Sequence, residues 1–348
     1  MASPFAAYLY SVYGPGLDSL QNFGLSGWMI WFFLPHLVAE TRSSFVDYAE
    51  AIGITLFVGG LISFSVGAFQ VYCAKIRKIG MVGGGIYQYI RHPQYAALMI
   101  ASLGLLLIWP RFLVLFSTVT MIFAYVALAR AEEQICAVKF SGYSAYQART
   151  GMFLPPFIPK IPLPNVQGRV KQLIAWTFAF LFVILVATLA AFGVRNYAIE
   201  SLYTYKVDEG IYLSVTKLSD NDMARIAQIS RTQPDVVDVL ATLSSNDRFI
   251  AYVVPTQMYI SEIPMQLPAE KKFTHSVPKA RDSNRYKVIF SRADFPNSGL
   301  PVGGDILKHA VHKHALIEVH IQLGSLTVER VLPPPDLNYY PDVQVPLF

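Results

Sequence analysis

Before Ala198 the chain carries apolar runs too long and too free of charge to be core helices of a water-soluble domain. Residues 49–72 form one such run, with Gly53, Gly59, Gly60 and Gly67 along it. Residues 96–108 and 112–129 form two more, separated by Trp109-Pro110-Arg111, and residues 173–192 form another. A helix rises about 1.5 Å per residue, so about 20 apolar residues cross a bilayer core. The shorter stretch 25–39, with Trp28, Trp31, Phe32 and Phe33, reads as a first span, which gives about five spans in all. Proline and a charge at 110–111 break the apolar run and predict a tight turn within a helical hairpin. Small residues along 53–67 predict close helix packing in lipid. Residues 5–20, rich in Tyr and Gly, read as a short interfacial segment.

Only 15% of the 348 residues are charged and 53% are hydrophobic, against roughly 25% charged in soluble domains. The imbalance is confined to the N-terminal half. The chain therefore divides into a polytopic α-helical membrane domain, 1–195, and a soluble-type domain, 196–348. The net charge of +5 fits Lys and Arg flanking membrane helices and gives no footing for nucleic-acid binding. Those cations gather in 75–91 (Lys75, Arg77, Lys78, Arg91) and in 130–171 (Arg130, Lys139, Arg149, Lys160, Arg169, Lys171). The opposite loops hold Arg42 and Arg111, with Arg195 and Lys206 after the fifth span. The positive-inside rule places 75–95 and 130–171 in the cytosol. Five spans then put the N-terminus inside and residues 196–348 outside. Cys73 and Cys136 lack metal-like spacing and read as free thiols, and no cleavable signal peptide is evident. Together these features fit a bacterial inner-membrane protein.

Residues 156–171, with Pro156, Pro159, Pro162 and Pro164, predict a stiff linker. Beyond Ala198 the pattern alternates. Residues 211–217 have strand character, and Ser219 or Asp220 is placed to cap a helix running to about residue 230. Residues 234–243 predict a second helix with proline in its first turn. Residues 248–254, 286–291, 315–323 and 326–332 predict strands. The result is a small α+β domain whose partner the sequence leaves unknown. His309, His312, His314 and His320 invite a metal reading, since His-x-x-His on a helix shares a face. No cysteine lies near them, so they read as surface histidines with no metal. Gly303-Gly304 after Pro301 reads as a turn; it lacks the Lys-Ser/Thr of a phosphate loop.

Chemistry concentrates at the cytosolic mouth of the hairpin. One side reads Gly85-Ile86-Tyr87-Gln88-Tyr89-Ile90-Arg91-His92-Pro93-Gln94-Tyr95. The other begins Arg130-Ala131-Glu132-Glu133 and continues as Tyr143-Ser144-Ala145-Tyr146-Gln147-Ala148-Arg149-Thr150-Gly151-Met152-Phe153-Leu154-Pro155. A hairpin returns the chain to its starting side, so the two must face one another. Ionisable groups at that depth are expensive unless paired or functional.

These two runs, in this order and separated by a two-span hairpin, resemble the isoprenylcysteine carboxyl methyltransferase family and, more loosely, the phospholipid N-methyltransferases. The resemblance covers roughly residues 50–157. It implies an integral-membrane enzyme using S-adenosylmethionine from a cytosolic pocket, with a lipophilic acceptor entering from the bilayer. It further implies that backbone around Met81 and Val82, the Tyr87 ring, His92, Pro93 and Tyr95 hold the cofactor, and that Glu132 holds its polar end. Arg130 is the candidate substrate contact. Methyl transfer from a sulfonium is an in-line displacement in which positioning alone supplies roughly 7–11 kcal/mol. A carboxylate acceptor needs no general base. An amine or thiol needs one, for which Glu133 or Tyr146 is placed, and Arg149 is a further candidate within the site. The span 173–192 and the outer domain are not part of the family's core. Two rival readings are a phospholipid N-methyltransferase and a membrane-anchored sensor or interaction protein that keeps the fold as an anchor.

Overall fold

The computed structural model describes residues 14–348 except 17–18, 21–22, 24–25, 79, 159–163, 165–166, 275–276, 279–280, 296–298, 300 and 337–346. The segment expected at 5–20 thus lies largely outside the described residues, as do residues 159–163 and 165–166 of the proline linker. Two compact units emerge. One holds the described residues up to Asp47 together with Phe192–Phe348, and the other is Tyr48–Ala191.

Four apolar helices account for the second unit. They are α1 (Ser44–Ile76), α2 (Pro93–Ile108), α3 (Phe112–Lys139) and α5 (Arg169–Glu200); the short α4 (Tyr143–Arg149) lies between the last two. Helices α1, α3 and α5 are long and apolar enough to cross a membrane, and α2 is a shorter apolar helix of 16 residues. Phe178, Phe182, Leu185 and Leu189 are more than half exposed on α5. An apolar surface of that kind needs lipid around it. The helices start and stop where the sequence dictates. Pro93 occupies the first turn of α2, where a missing N–H costs nothing. The Trp109-Pro110-Arg111 break separates α2 from α3 as a tight turn, with Arg111 N donating to the Trp109 carbonyl at 2.8 Å. Glycine sets the approach of α1 to α2. A Cβ on Gly104 would lie 2.4 Å from Phe57 N and 2.6 Å from the Gly53 carbonyl, and one on Gly60 would lie 2.7 Å from the Ala97 carbonyl.

The span expected at 25–39 is corrected. Its described residues form only a four-residue 3-10 helix, Gly27–Ile30, followed by non-helical chain. Pro35 breaks the run, and the apolar residues have another use. Ile30, Phe32, Phe33, Leu34 and Leu37 are buried, and Ala39 N donates to the Val215 carbonyl at 2.8 Å. Glu40 accepts from Lys217 N at 2.7 Å and from Arg281 at 2.8 Å. Trp31 packs edge-on to His309, with the Arg195 guanidinium 4.5 Å from its ring centre. This segment therefore belongs to the sheet-rich unit.

That unit is a six-stranded sheet in sequential order: β1 (Tyr203–Val207), β2 (Gly210–Ser214), β3 (Arg248–Pro255), β4 (Arg285–Asp294), β5 (His312–Gln322) and β6 (Thr327–Leu332). All neighbours are antiparallel except β2 and β3, which are joined through α6 (Asp220–Arg231) and α7 (Pro234–Ala241). A parallel pair needs such a crossover. Ser219 caps α6 by accepting from Asp222 N at 3.1 Å. Met223, Ile226 and Val236 pack on one sheet face with Phe249, Val288 and Phe290. The helix expected to carry His-x-x-His is divided: His309 ends α8 (Gly304–His309) and His312 begins β5. The two therefore share no helical face.

The other sheet face is also buried, and it carries polar groups among its apolar residues. Lys287, Glu318 and His320 lie there, with the Lys287 ammonium 3.4 Å above the Tyr259 ring centre and His320 donating to Glu318 at 2.6 Å. Burial pushes the Lys287 amine down to about 7, opposed by the Glu318 charge. A lysine depressed in the fold binds its proton more weakly than in the unfolded chain, so stability falls as pH drops from about 10 towards 7 and levels below that. Lys287→Met removes this dependence. Thermal unfolding of the detergent-solubilised protein should then show the wild type losing on the order of 3 kcal/mol across that interval and the variant losing little of it. A variant with the wild-type slope would contradict a buried, depressed Lys287.

Candidate functional site

The two motif segments meet through their backbones. Arg91 N donates to the Gly151 carbonyl at 2.8 Å, His92 N to Met152 at 3.1 Å, and Gly151 N to Tyr89 at 3.1 Å. Ile90 and Gly151 form a parallel bridge. Residue 151 must be glycine for this course: a Cβ there would lie 1.7 Å from the Leu154 carbonyl oxygen.

Side chains converge on two adjacent carboxylates. Glu133 is buried, and its Oε1 accepts from Arg91 Nε at 2.6 Å and from His92 Nε2 at 3.3 Å. Its Oε2 accepts from Gln147 at 3.0 Å. Arg91 also donates to the carbonyls of Gln147, at 3.1 Å, and of Thr150. A buried carboxylate needs such partners, because an unpaired one costs several kcal/mol. Glu132 differs. Its side chain is 52% exposed, it accepts from the Tyr95 hydroxyl, and its Oε2 lies 3.5 Å from His92 Nδ1. The sequence pairs two like residues; the structure separates a buried anchor from a carboxylate open to solvent.

An aromatic column stands beside Glu132. His92 stacks on Tyr95 with centroids 5.7 Å apart, and Tyr95 stacks on Tyr125 of α3 at 5.1 Å. His92 reaches this position as the N-cap residue of α2, with a side chain that makes no capping bond, and Pro93 fixes the helix start behind it. Tyr87 is buried. Its carbonyl accepts from the Tyr146 hydroxyl at 2.7 Å, and burial raises its own hydroxyl to about 12. Burial raises the Tyr146 hydroxyl as well, so neither phenol ionises near neutrality. Met81 and Val82 lie in irregular chain just before Gly83, where an added Cβ would stand 3.8 Å from the Tyr146 ring.

Two candidates lie apart from the carboxylate pair. Arg149 is exposed and sits 5.8 Å over the Tyr146 ring. Arg130 turns to α5, 4.5 Å over the Trp176 ring, and donates to the Pro164 carbonyl at 3.3 Å. Sequence reasoning did not single out the roles of Arg91 and Gln147. Arg91 was visible in its motif, but three of its bonds go to Glu133 and to backbone carbonyls, which carry no residue signature.

The phospholipid methyltransferase family model matches residues 49–142. No curated protein and no solved structure matches the chain. The matched stretch holds nearly all of α1, the whole α2–α3 hairpin, His92, Tyr95 and the Glu132–Glu133 pair; it stops before Tyr146, Arg149, α5 and the sheet. Over residues 49–142, about a quarter of its length, the chain is thus similar to the phospholipid methyltransferase family.

Proposed function

We propose that this protein is an integral-membrane S-adenosylmethionine-dependent methyltransferase of the isoprenylcysteine carboxyl methyltransferase type, acting on a lipophilic acceptor. The observation that carries the reading is the pairing of the two motif segments around Arg91 and Glu133, which leaves the half-exposed Glu132 carboxylate, with Tyr95 beside it, where a ligand can reach it. These residues suit the cofactor chemically. A carboxylate pairs with its ammonium or ribose hydroxyls, and aromatic rings stack on its base or face its sulfonium. When bound it supplies an electrophilic methyl group. Glu132, His92, Pro93, Tyr95 and Tyr87, with backbone at Met81 and Val82, would hold it. Glu133 acts through Arg91 and His92 and is a positioning residue.

The occupied hydrogen bonds support a carboxylate acceptor. The Glu133 carboxylate is engaged by three donors and the Tyr146 hydroxyl by the Tyr87 carbonyl. Neither is available as a general base, and a carboxylate nucleophile needs none. The Tyr146-to-Gly151 run behind the carboxyl-type resemblance also packs against Tyr89–His92. Phospholipid N-methylation is the second reading, favoured by the family model over 49–142.

Chain connectivity supports one membrane orientation. The segment before α1 and the chain after α5 fall in one compact unit, so the crossings between them are even in number. We assign four, α1, α2, α3 and α5. Lys and Arg on either side of α2–α3 then put the site in the cytosol and both the segment before α1 and residues 196–348 outside. Epitopes inserted after Asp208 and at the N-terminus should be reached together by antibody in intact spheroplasts. Protection of either one would refute four crossings.

Two further outcomes are expected. Glu132→Ala should abolish S-adenosylmethionine binding in calorimetry while leaving thermal stability near wild type. Glu133→Gln should destabilise the fold by about 3–5 kcal/mol, because it strands buried Arg91. Equal affinity in Glu132→Ala and wild type would remove the assignment. With methyl-labelled cofactor and membrane lipid extract, the product should release label as methanol under mild alkali, as an ester does. Alkali-stable label would favour the N-methyl reading.

A further inference from the structure

Helix α5 lies outside the matched segment, yet it forms one wall of a groove of about 1260 Å³ against α3. That volume somewhat exceeds the roughly 300–1,000 Å³ of sites for drug-sized ligands. The α5 wall is a single helical face graded in polarity: Arg169 and Gln172 come first, then Trp176, then Phe180. Arg169 to Phe180 spans about 16 Å at 1.5 Å per residue. The opposing face of α3 runs from Gln134 and Arg130 through Ala127 to Phe123. Phe123 meets Trp176 and Phe180 edge-on at 5.7 and 5.2 Å, which closes the apolar end. Alanine at 127 and 131 leaves the space open. At about 100° per residue this α3 face is turned away from Tyr125 and Glu132, with Glu133 on the edge between. Glu133 and Gln147 line the groove and also bond to each other, and Glu133 holds Arg91. The polar end of the groove therefore adjoins the motif cluster.

We propose that α5 and α3 form an amphiphile-binding site beside the motif cluster: Arg169 at the polar end binds the anionic group, and the Trp176–Phe180 face binds the hydrocarbon tail. Amphiphile binding in the groove does not depend on the methyltransferase reading. Arg130 is held by Trp176 and the Pro164 carbonyl and shapes the wall, whereas Arg169 is exposed at the groove mouth. A cation and an aromatic pair that together span about 16 Å along α5 complement one ionised head on a single chain. A neutral lipid would leave the cation unmatched.

The test places the full-length protein in phosphatidylcholine nanodiscs containing 10 mol% of either palmitate or lysophosphatidic acid, and counts retained lipid by native mass spectrometry. The expected result is one retained anionic amphiphile, with the stronger arm naming carboxylate or phosphate. Retention should fall about tenfold, worth about 1.4 kcal/mol, in Arg169→Gln and in Ala127→Leu. The second variant fills the groove from an exposed position without touching the core. S-adenosylmethionine affinity should stay at the wild-type value in both. Retention of phosphatidylcholine equal to both anions, or undiminished anion retention in both variants, would overturn the proposal. Loss of S-adenosylmethionine binding in the wild type with anion retention intact would overturn the enzyme reading and leave the groove assignment standing.

Discussion

The buried pair between Arg91 and Glu133 joins two stretches of chain separated by a membrane hairpin. Glu133 reaches the site on the last turns of α3, and Arg91 stands one residue before the cap of α2. Three donors saturate Glu133, and the remaining Arg91 donors take up the carbonyls of Gln147 and Thr150. Removing either partner leaves a buried charge unpaired, at a cost of several kcal/mol. The strand-like contact of residues 89–92 with 151–152 and the aromatic column on Glu132 both hang on this pair. Adjacent glutamates thereby acquire opposite duties, one internal and structural, the other facing outward.

Function is built around that anchor from parts of different origin. The α2–α3 hairpin carries His92, Tyr95, Tyr125 and Glu132, and all lie within the family-matched stretch. The segment after α3 contributes Gln147, Thr150 and the glycine that lets the chain pass close to Leu154. Helix α5 adds a graded wall of Arg169, Trp176 and Phe180. The sheet-rich unit has an apolar face under α6 and α7 and a second buried face on which Lys287, Glu318 and His320 form a polar group.

Much of this was legible from residue order. The hairpin, the long helices and five of the six strands follow from apolar run length, period and proline placement. The Ser219 cap was one of two options, and the structure selects it. The run at 25–39 misled because a stretch that covers a sheet is as apolar as one that enters lipid; Pro35 and the short length were the signals against a span. Strand β1, Tyr203–Val207, escaped notice because it is short and lies at the sheet edge. Helix α8 escaped because Gly303-Gly304 reads first as a turn. Within the site, His92, Tyr95 and Glu132 stood out by residue type and spacing. The division of labour between Glu132 and Glu133 did not, since it depends on which face of α3 meets Arg91. Trp176 was one apolar residue among many until its stacking on Arg130 gave it a position.

The proposed function stands or falls on S-adenosylmethionine binding at the mouth of the α2–α3 hairpin. Ultraviolet photolabelling of the purified full-length protein with radiolabelled S-adenosylmethionine, followed by peptide mapping, tests it most directly. Label should fall in peptides spanning residues 81–95 and 125–133 and be competed away by unlabelled cofactor. Label confined to residues 196–348, or none that unlabelled cofactor displaces, would contradict it.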